Sequence, residues 1–196
     1  MVLGSFSHYE MILESILSPY GGIYSWFEGC RKNCPGCMAN FLKEAKSYTD
    51  ISVRLDEMLN QAIAVTGSNP FAIIVSGGEP LLQPQAIIYL RNEIDKLNSL
   101  YGTDLFLQVY TGYNEDELEG YDRTVLNCID ILIAGEYDEE KDDGFMPVVG
   151  STNQKLVFAT GREDLDEAYK RFMSTQCRKK ITVYNNQLKR FITVGV

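Results

Sequence analysis

Three of the five cysteines in this 196-residue chain lie in one short stretch, EGCRKNCPGCMAN. Cys30, Cys34 and Cys37 follow one another with the spacing C-x3-C-x2-C. Pro35 and Gly36 between them favour a bend that lets the three sulfurs face one point. Thiolates are soft ligands that select zinc, cuprous ion or iron–sulfur clusters. The stretch therefore predicts a metal centre held by these three cysteines.

The number of ligands separates two kinds of centre. A closed zinc site needs four ligands, so Cys128 or Cys177 would have to supply the fourth. Cys128 precedes an apolar stretch, where a free cysteine usually fills space, and Cys177 lies in a polar stretch typical of a surface. A [4Fe–4S] cluster held by three cysteines would instead leave one iron open to another ligand. Both hypotheses remain open at this point.

Composition excludes several other classes of function. A net charge of −9 and the absence of a basic stripe argue against nucleic acid as a partner. A single histidine, His8, rules out two-histidine metal sites, and we expect it at the surface or at a helix start. No apolar run approaches the roughly 18 residues of a membrane span, and the N-terminal stretch lacks the basic region of a signal peptide. We therefore expect a soluble, cytoplasmic protein with reduced thiols and no membrane partner.

Short apolar runs alternate with amphipathic helical patterns along the chain. This alternation predicts an α/β fold, a partial, open (β/α) barrel of parallel strands with a C-terminal hairpin extension. We expect one domain over 1–196, with a core at 20–160 and the extension at 161–196. The predicted strands are 21–29, 71–80, 104–113, 129–135 and 153–160, and the hairpin turns at Asn185–Asn186. The predicted helices are 53–67, 84–102 and 163–174, with a short one in DRTVLNC.

Polar and glycine-rich segments follow four of these strands. They are the cysteine loop, SGGEP at 76–80, YTG at 110–112 and the Gly135–Glu136 pair. Ligands of such sheets bind beyond the carboxyl ends of the strands, so we expect all four segments at one mouth. The acidic run that follows at 136–143 is either a solvated loop or a lid or docking surface for a partner.

The C-x3-C-x2-C spacing after a strand, followed by SGGEP, resembles the radical S-adenosylmethionine (SAM) enzymes. The resemblance implies a [4Fe–4S] cluster on Cys30, Cys34 and Cys37 whose open iron binds S-adenosyl-L-methionine. It further implies that one electron cleaves this cosubstrate to a 5′-deoxyadenosyl radical. No catalytic side chain is implied, because the cofactors carry the chemistry.

Further motifs resemble the activating enzymes of anaerobic ribonucleotide reductases. They are CPGC with Asn40, YTGY at 110–113, IDILIAGEYDEE at 129–140 and GSTNQK at 150–155, in this order. The resemblance implies a glycyl radical formed on a partner reductase and an electron donor such as flavodoxin or ferredoxin. By the same resemblance, SAM would contact Gly36, Cys37, Met38, Gly77, Gly78, Glu79, Thr111, Gly112, Ser151, Asn153 and Gln154.

The chain departs from the family pattern at several places. Tyr24 stands where an arginine is common, and Gly36 stands where most radical SAM enzymes carry an aromatic residue. Residues 157–196 match no motif. Two alternative functions stay open: a radical SAM enzyme acting on a small molecule, like the 7-carboxy-7-deazaguanine synthases that share GGEPLLQ, and a zinc-stabilised binding module.

Overall fold

The computed structural model describes residues 1–15, 17–144, 146–158, 160–175, 180–185 and 190–195. Its strands are β1 Leu3–Gly4, β2 Phe6–Ser15, β3 Gly22–Phe27, β4 Thr49–Asp50, β5 Pro70–Gly77, β6 Asp104–Thr111, β7 Ile131–Ala134, β8 Lys155–Phe158, β9 Lys180–Asn185 and β10 Arg190–Gly195. Its helices are α1 Ser52–Thr66, α2 Pro84–Tyr101, α3 Glu115–Glu119, α4 Arg123–Leu126 and α5 Glu163–Met173. Short 3₁₀ turns cover Asn40–Leu42, Pro80–Leu82 and Glu139–Lys141.

Eight of the strands form one sheet in the order β10-β9-β2-β3-β5-β6-β7-β8. The four central strands β3, β5, β6 and β7 run parallel to one another. Parallel neighbours need a crossover, and α1, α2 and α4 lie in the three connections between these strands. The predicted α/β architecture is therefore confirmed for the centre of the sheet, with antiparallel strands on both sides of it.

One strand was not predicted from the sequence, and the direction predicted for another was wrong. The segment containing His8 is strand β2, which pairs antiparallel with β3, and His8 stacks on Trp26 at 5.7 Å between ring centroids. Its polar residues and a bulge after Phe6 interrupt the alternation that marks a strand. Strand β8 runs antiparallel to β7, although a parallel strand was predicted. The described residues between them form only the short turn Glu139–Lys141 and no crossover helix, so the chain returns along the same edge of the sheet.

Both faces of the parallel strands are buried, as expected for a parallel sheet. Alternate residues of β5 face opposite sides: Ile73 belongs to the core under the helices, and Ile74 to the core on the other face. Helices α1 and α2 bury Leu55, Met58, Leu59, Ala86, Ile87, Leu90 and Ile94 in the first core. The second core, on the opposite face of the sheet, includes Leu165 and Tyr169 of α5.

The C-terminal segment contributes to both the sheet and the second core. Strands β9 and β10 pair antiparallel, and β9 extends the sheet beyond β2. The turn predicted at Asn185–Asn186 lies partly outside the described residues. The buried Tyr169 hydroxyl hydrogen-bonds Gln108 on β6 and Ser18, so α5 is tied to the sheet by polar as well as apolar contacts. No helix within the described ranges is long and apolar enough to cross a membrane.

Candidate functional site

One cavity lies at the carboxyl edge of the four parallel strands. Each of the four strand-end segments singled out in the sequence contributes to its wall: Cys30 after β3, Glu79 after β5, Gly112 after β6 and Gly135 after β7. The full set of lining residues is Leu17, Tyr24, Cys30, Lys32, Cys34, Cys37, Met38, Ala39, Lys43, Ser76, Gly77, Gly78, Glu79, Tyr110, Thr111, Gly112, Gly135, Tyr137, Gly150 and Gln154. The expected convergence on one mouth is therefore found.

The cysteine loop, residues 28–43, is closed at its base by backbone hydrogen bonds. The Gly29 N–H donates to the Leu42 carbonyl at 2.7 Å, and the Cys30 N–H donates to the Lys43 carbonyl at 2.9 Å. The buried Gln83 amide donates to the Glu28 carbonyl at 2.9 Å, which fixes the start of the loop from below. Cys30 is thus held by a main-chain hydrogen bond, and residues further along the loop, among them Cys34 and Ala39, contribute to the wall of the cavity.

Gly77 and Gly78 allow close contact between the ends of β3 and β5. A Cβ on Gly77 would lie 2.4 Å from the Phe27 carbonyl oxygen, and one on Gly78 would lie 2.3 Å from the Gly29 carbonyl oxygen. The N–H groups of Gly78 and Glu79 donate to these same two carbonyls. These glycines therefore pack against the entry to the cysteine loop, and both also line the cavity.

Glu79 joins the ends of β5 and β6. Its side chain is 1% exposed and accepts three hydrogen bonds. Oε1 accepts from the Leu81 N–H at 3.0 Å and the Thr111 hydroxyl at 2.8 Å, and Oε2 accepts from the Gly112 N–H at 2.8 Å. Burial raises the pKa of this carboxyl, and the three hydrogen bonds oppose that rise. These three hydrogen bonds hold the ends of β5 and β6 together at the wall of the cavity.

Lys32 connects the cysteine loop to two other strand ends. Its ammonium lies 2.8 Å from Glu117 in α3 and 2.7 Å from Glu136 after β7, and 5.4 Å from the Tyr113 ring centroid. Burial lowers the pKa of Lys32, but the hydrogen bonds to the two glutamates outweigh it and raise that pKa overall. The two glutamate side chains are 38% and 45% exposed, so each ion pair contributes little to global stability. The two ion pairs of Lys32 therefore act mainly on the local position of the cysteine loop.

The three cysteines are free thiols that line the same cavity. Burial raises the pKa of Cys30 and of Cys34. Within the described ranges, no three Cys, His, Asp or Glu side chains are grouped as they would be around a single metal ion. Cys128 packs beside the helix-side core, where its thiol hydrogen-bonds the Thr124 carbonyl, and Cys177 lies outside the described residues.

This donor set fits a [4Fe–4S] cluster better than a zinc ion. Each cluster thiolate binds a different iron, so the three sulfurs need not meet at one point as zinc ligands must. Cys128 does not supply the fourth ligand that a closed zinc site would require. The cavity also has apolar and aromatic walls, including Leu17, Tyr24 and Met38, that limit water around a bound cofactor.

Most of the residues predicted to contact SAM lie around the cavity. Cys37, Met38, Gly77, Gly78, Glu79, Thr111, Gly112 and Gln154 line it. Gln154 closes one wall, because its Oε1 accepts from the Gly150 N–H at 2.7 Å and its Nε2 donates to the Gly135 carbonyl at 2.9 Å. The other three predicted residues lie in other surroundings. Gly36 lies beside Glu139, Ser151 is buried and accepts from the Asp138 N–H, and Asn153 lines a neighbouring cavity.

The predicted SAM contacts did not include several residues that line the cavity, among them Tyr24, Lys32, Tyr110 and Tyr137. For Tyr110 a signal was present, because strand alternation places it on the same face as Gln108, opposite the apolar residues that face the helices. For Lys32 the contacts are with residues distant in sequence, Glu117 and Glu136, and no local pattern marks such pairs.

Comparisons with known proteins agree with this site. A family model described as a 4Fe-4S single cluster domain matches residues 22–157. Proteins named anaerobic ribonucleoside-triphosphate reductase-activating protein are 28% identical in Salmonella typhi and 27% in Escherichia coli (strain K12), each over 127 residues. The Haemophilus influenzae protein of that name is 30% identical over 130 residues. Each match covers 64% of this chain and 80% of the relative. The chain therefore belongs to the family of the 4Fe-4S single cluster domain and is a relative of the anaerobic ribonucleoside-triphosphate reductase-activating proteins.

Proposed function

We propose that this chain is a radical SAM enzyme that generates a glycyl radical on an anaerobic ribonucleoside-triphosphate reductase. Cys30, Cys34 and Cys37 hold the [4Fe–4S] cluster, and SAM occupies the remainder of the cavity. The observation that carries the proposal is the meeting of three thiols with the ends of β5, β6 and β7 at one cavity. When bound, the cluster supplies one electron that cleaves SAM to a deoxyadenosyl radical able to remove a hydrogen atom.

The chain's own residues bind and orient the cofactors. The base of the cysteine loop positions Cys30, and Glu79 holds the two strand ends that flank it. Gln154 fixes the opposite wall by joining Gly150 to Gly135. We assign the SAM contacts to the predicted residues that line the cavity, and to Gly36, Ser151 and Asn153 at its margin. We further propose that the four parallel strands are part of an open barrel and that the chain is a single domain.

The names of the relatives support a protein partner. Tyr24 and Tyr110 close the inner end of the cavity, since Tyr24 is buried and the Tyr110 hydroxyl hydrogen-bonds the Val148 carbonyl. Met38 at the mouth is 73% exposed. A substrate therefore approaches from the outer side, which suits a loop of a partner protein. A flavodoxin- or ferredoxin-type donor would supply the electron.

Anaerobic reconstitution tests the proposal. The protein is loaded with iron and sulfide, then mixed with SAM and dithionite, and 5′-deoxyadenosine is measured. We expect SAM cleavage in the parent and in Cys128→Ser, and none in serine variants of Cys30, Cys34 or Cys37. Addition of the reductase from the same organism should give a glycyl-radical EPR signal.

Two other outcomes contradict parts of the proposal. SAM cleavage that is stimulated by a deazaguanine precursor, without a glycyl radical in the reductase, would assign a small-molecule substrate. A tetrahedral zinc centre in anaerobically purified protein, with no uptake of iron and sulfide, would overturn the radical chemistry altogether.

A further inference from the structure

We propose that the Glu139 carboxylate makes the reduction potential of the bound cluster more negative. The inference rests on the proposed function, because it needs a cluster on Cys34 and Cys37. Glu139 belongs to the acidic run whose composition fits either a solvated loop or a docking surface. The structure places its carboxylate against the cysteine loop instead.

Glu139 contacts Gly36, which lies between Cys34 and Cys37 in the sequence. Gly36 adopts a φ of +68°, and a Cβ added there would lie 2.6 Å from the carboxylate carbon of Glu139 and 2.7 and 2.9 Å from its oxygens. The three atoms nearest to that position all belong to Glu139. The carboxylate thus occupies the space that a side chain at position 36, between these two cysteines in the sequence, would fill.

The backbone around Glu139 is held in place from both sides. On the C-terminal side of Glu139, the Thr152 N–H donates to the Lys141 carbonyl at 2.9 Å. The Asp138 N–H donates to the Ser151 hydroxyl at 3.1 Å, and Asp138 in turn caps the short turn Glu139–Lys141 through the Glu140 N–H. These bonds attach the turn to the segment that holds Ser151, and the Glu139 carboxylate lies against Gly36, so the position of the Glu139 side chain is not that of a free surface residue.

The nearby cations are engaged by other acids. The Lys141 ammonium lies 2.6 Å from Asp138, and the Lys32 ammonium lies between Glu117 and Glu136. The charge of Glu139 is therefore not neutralised by either lysine. Its side chain is exposed, so water and salt weaken its field without reversing its sign.

The sign of the effect follows from electrostatics. Uptake of an electron makes the cluster more negative, and a carboxylate beside its ligands opposes that change. Net charge and hydrogen bonds to sulfur are among the factors that set the potential of iron–sulfur clusters. Glu139 thus shifts the potential in the direction that reductive cleavage of SAM requires.

Glu139→Gln tests this inference, because it keeps the shape of the side chain and removes its charge. Glu140→Gln is the matched control, since it removes the same charge one residue away, from a carboxylate that is not against Gly36. Each protein is reconstituted anaerobically without SAM, and its midpoint potential is measured by EPR-monitored titration. The titrated step is the transfer of one electron from dithionite, through mediators, to the cluster, with no bond made or broken.

We expect Glu139→Gln to load the same amount of iron and sulfide as the parent and to have a more positive midpoint potential. Glu140→Gln should shift less, and Glu139→Asp, which keeps the charge but withdraws it, should lie between parent and Gln variant. The difference should shrink at high salt. An unchanged or more negative potential in Glu139→Gln, or an equal shift in Glu140→Gln, overturns the inference while the cluster chemistry stands. A parent protein that takes up no iron and sulfide overturns the proposed function, and this inference with it.

Discussion

Replacing Glu79 by glutamine would test whether the buried carboxylate ties β5 to β6. Glutamine has nearly the same shape but only one acceptor oxygen, which can still accept from the Leu81 N–H and the Thr111 hydroxyl. The Gly112 N–H, now 2.8 Å from Oε2, would then face an amide NH₂ group. A buried donor without an acceptor costs about 1–3 kcal/mol. Relief of the buried charge offsets part of this cost, so we expect a net loss of about 1–2 kcal/mol in the free energy of unfolding.

Thermal unfolding followed by far-UV circular dichroism under anaerobic conditions measures this loss. For a chain of this size, each kcal/mol lowers the Tm by about 2–4 °C. Glu119→Gln is the matched control, because Glu119 is exposed at the end of α3 and should change stability by less than about 0.5 kcal/mol. A Glu79→Gln protein as stable as the parent, or more stable, would refute the reasoning. It would show that the cost of burying the charge exceeds the benefit of the three hydrogen bonds.

Three other changes follow from contacts in the same region and at the N-terminal edge. Gly78→Ala would place a Cβ 2.3 Å from a backbone oxygen and should cost about 1–3 kcal/mol or more in thermal unfolding, whereas Gly120→Ala, with open space around it, should change little. Lys32→Gln should accelerate loss of the cluster to an iron chelator, while the free energy of unfolding changes by less than about 1 kcal/mol. If Lys32→Gln and Lys43→Gln lose the cluster at the same rate, the role given to Lys32 is contradicted. Hydrogen bonds from two backbone N–H groups hold the pKa of Asp50 at about 2, below its ordinary 3.8. The stabilisation that ionised Asp50 provides is complete above pH 3.8 and is lost as the pH falls through 2. Asp50→Asn should therefore remove this part of the acid dependence of Tm, and an unchanged profile would contradict this role of Asp50.

The site was predictable from the sequence where local pattern determines position. Apolar runs mark the parallel strands, and strands of that kind deliver their carboxyl ends to one edge. That reasoning alone places Cys30, Gly78, Thr111 and Gly135 together, and all four line the cavity. The SAM contacts themselves, and the three cysteines as cluster ligands, remain predictions.

The remaining features depend on contacts between residues distant in the chain. Whether Glu79 serves a ligand or the fold depends on Thr111 and Gly112, which a motif at 76–80 cannot reveal. The acidic run has the composition of a solvated loop, and only the approach of Glu139 to Gly36 shows its contact with the cysteine loop. The direction of β8 likewise depends on how the chain returns after β7, not on its own apolar pattern.

Trp26 is the chain's single tryptophan. It lies in β3, the strand that leads into the cysteine loop, and stacks on His8 of β2. Iron–sulfur clusters absorb broadly across the wavelengths at which indole emits, and energy transfer between the two quenches that emission. With the proposed cluster bound, Trp26 would therefore act as an optical reporter at the entrance to the cysteine loop. Native fluorescence would then follow cluster occupancy in real time, without a label and without consuming cosubstrate.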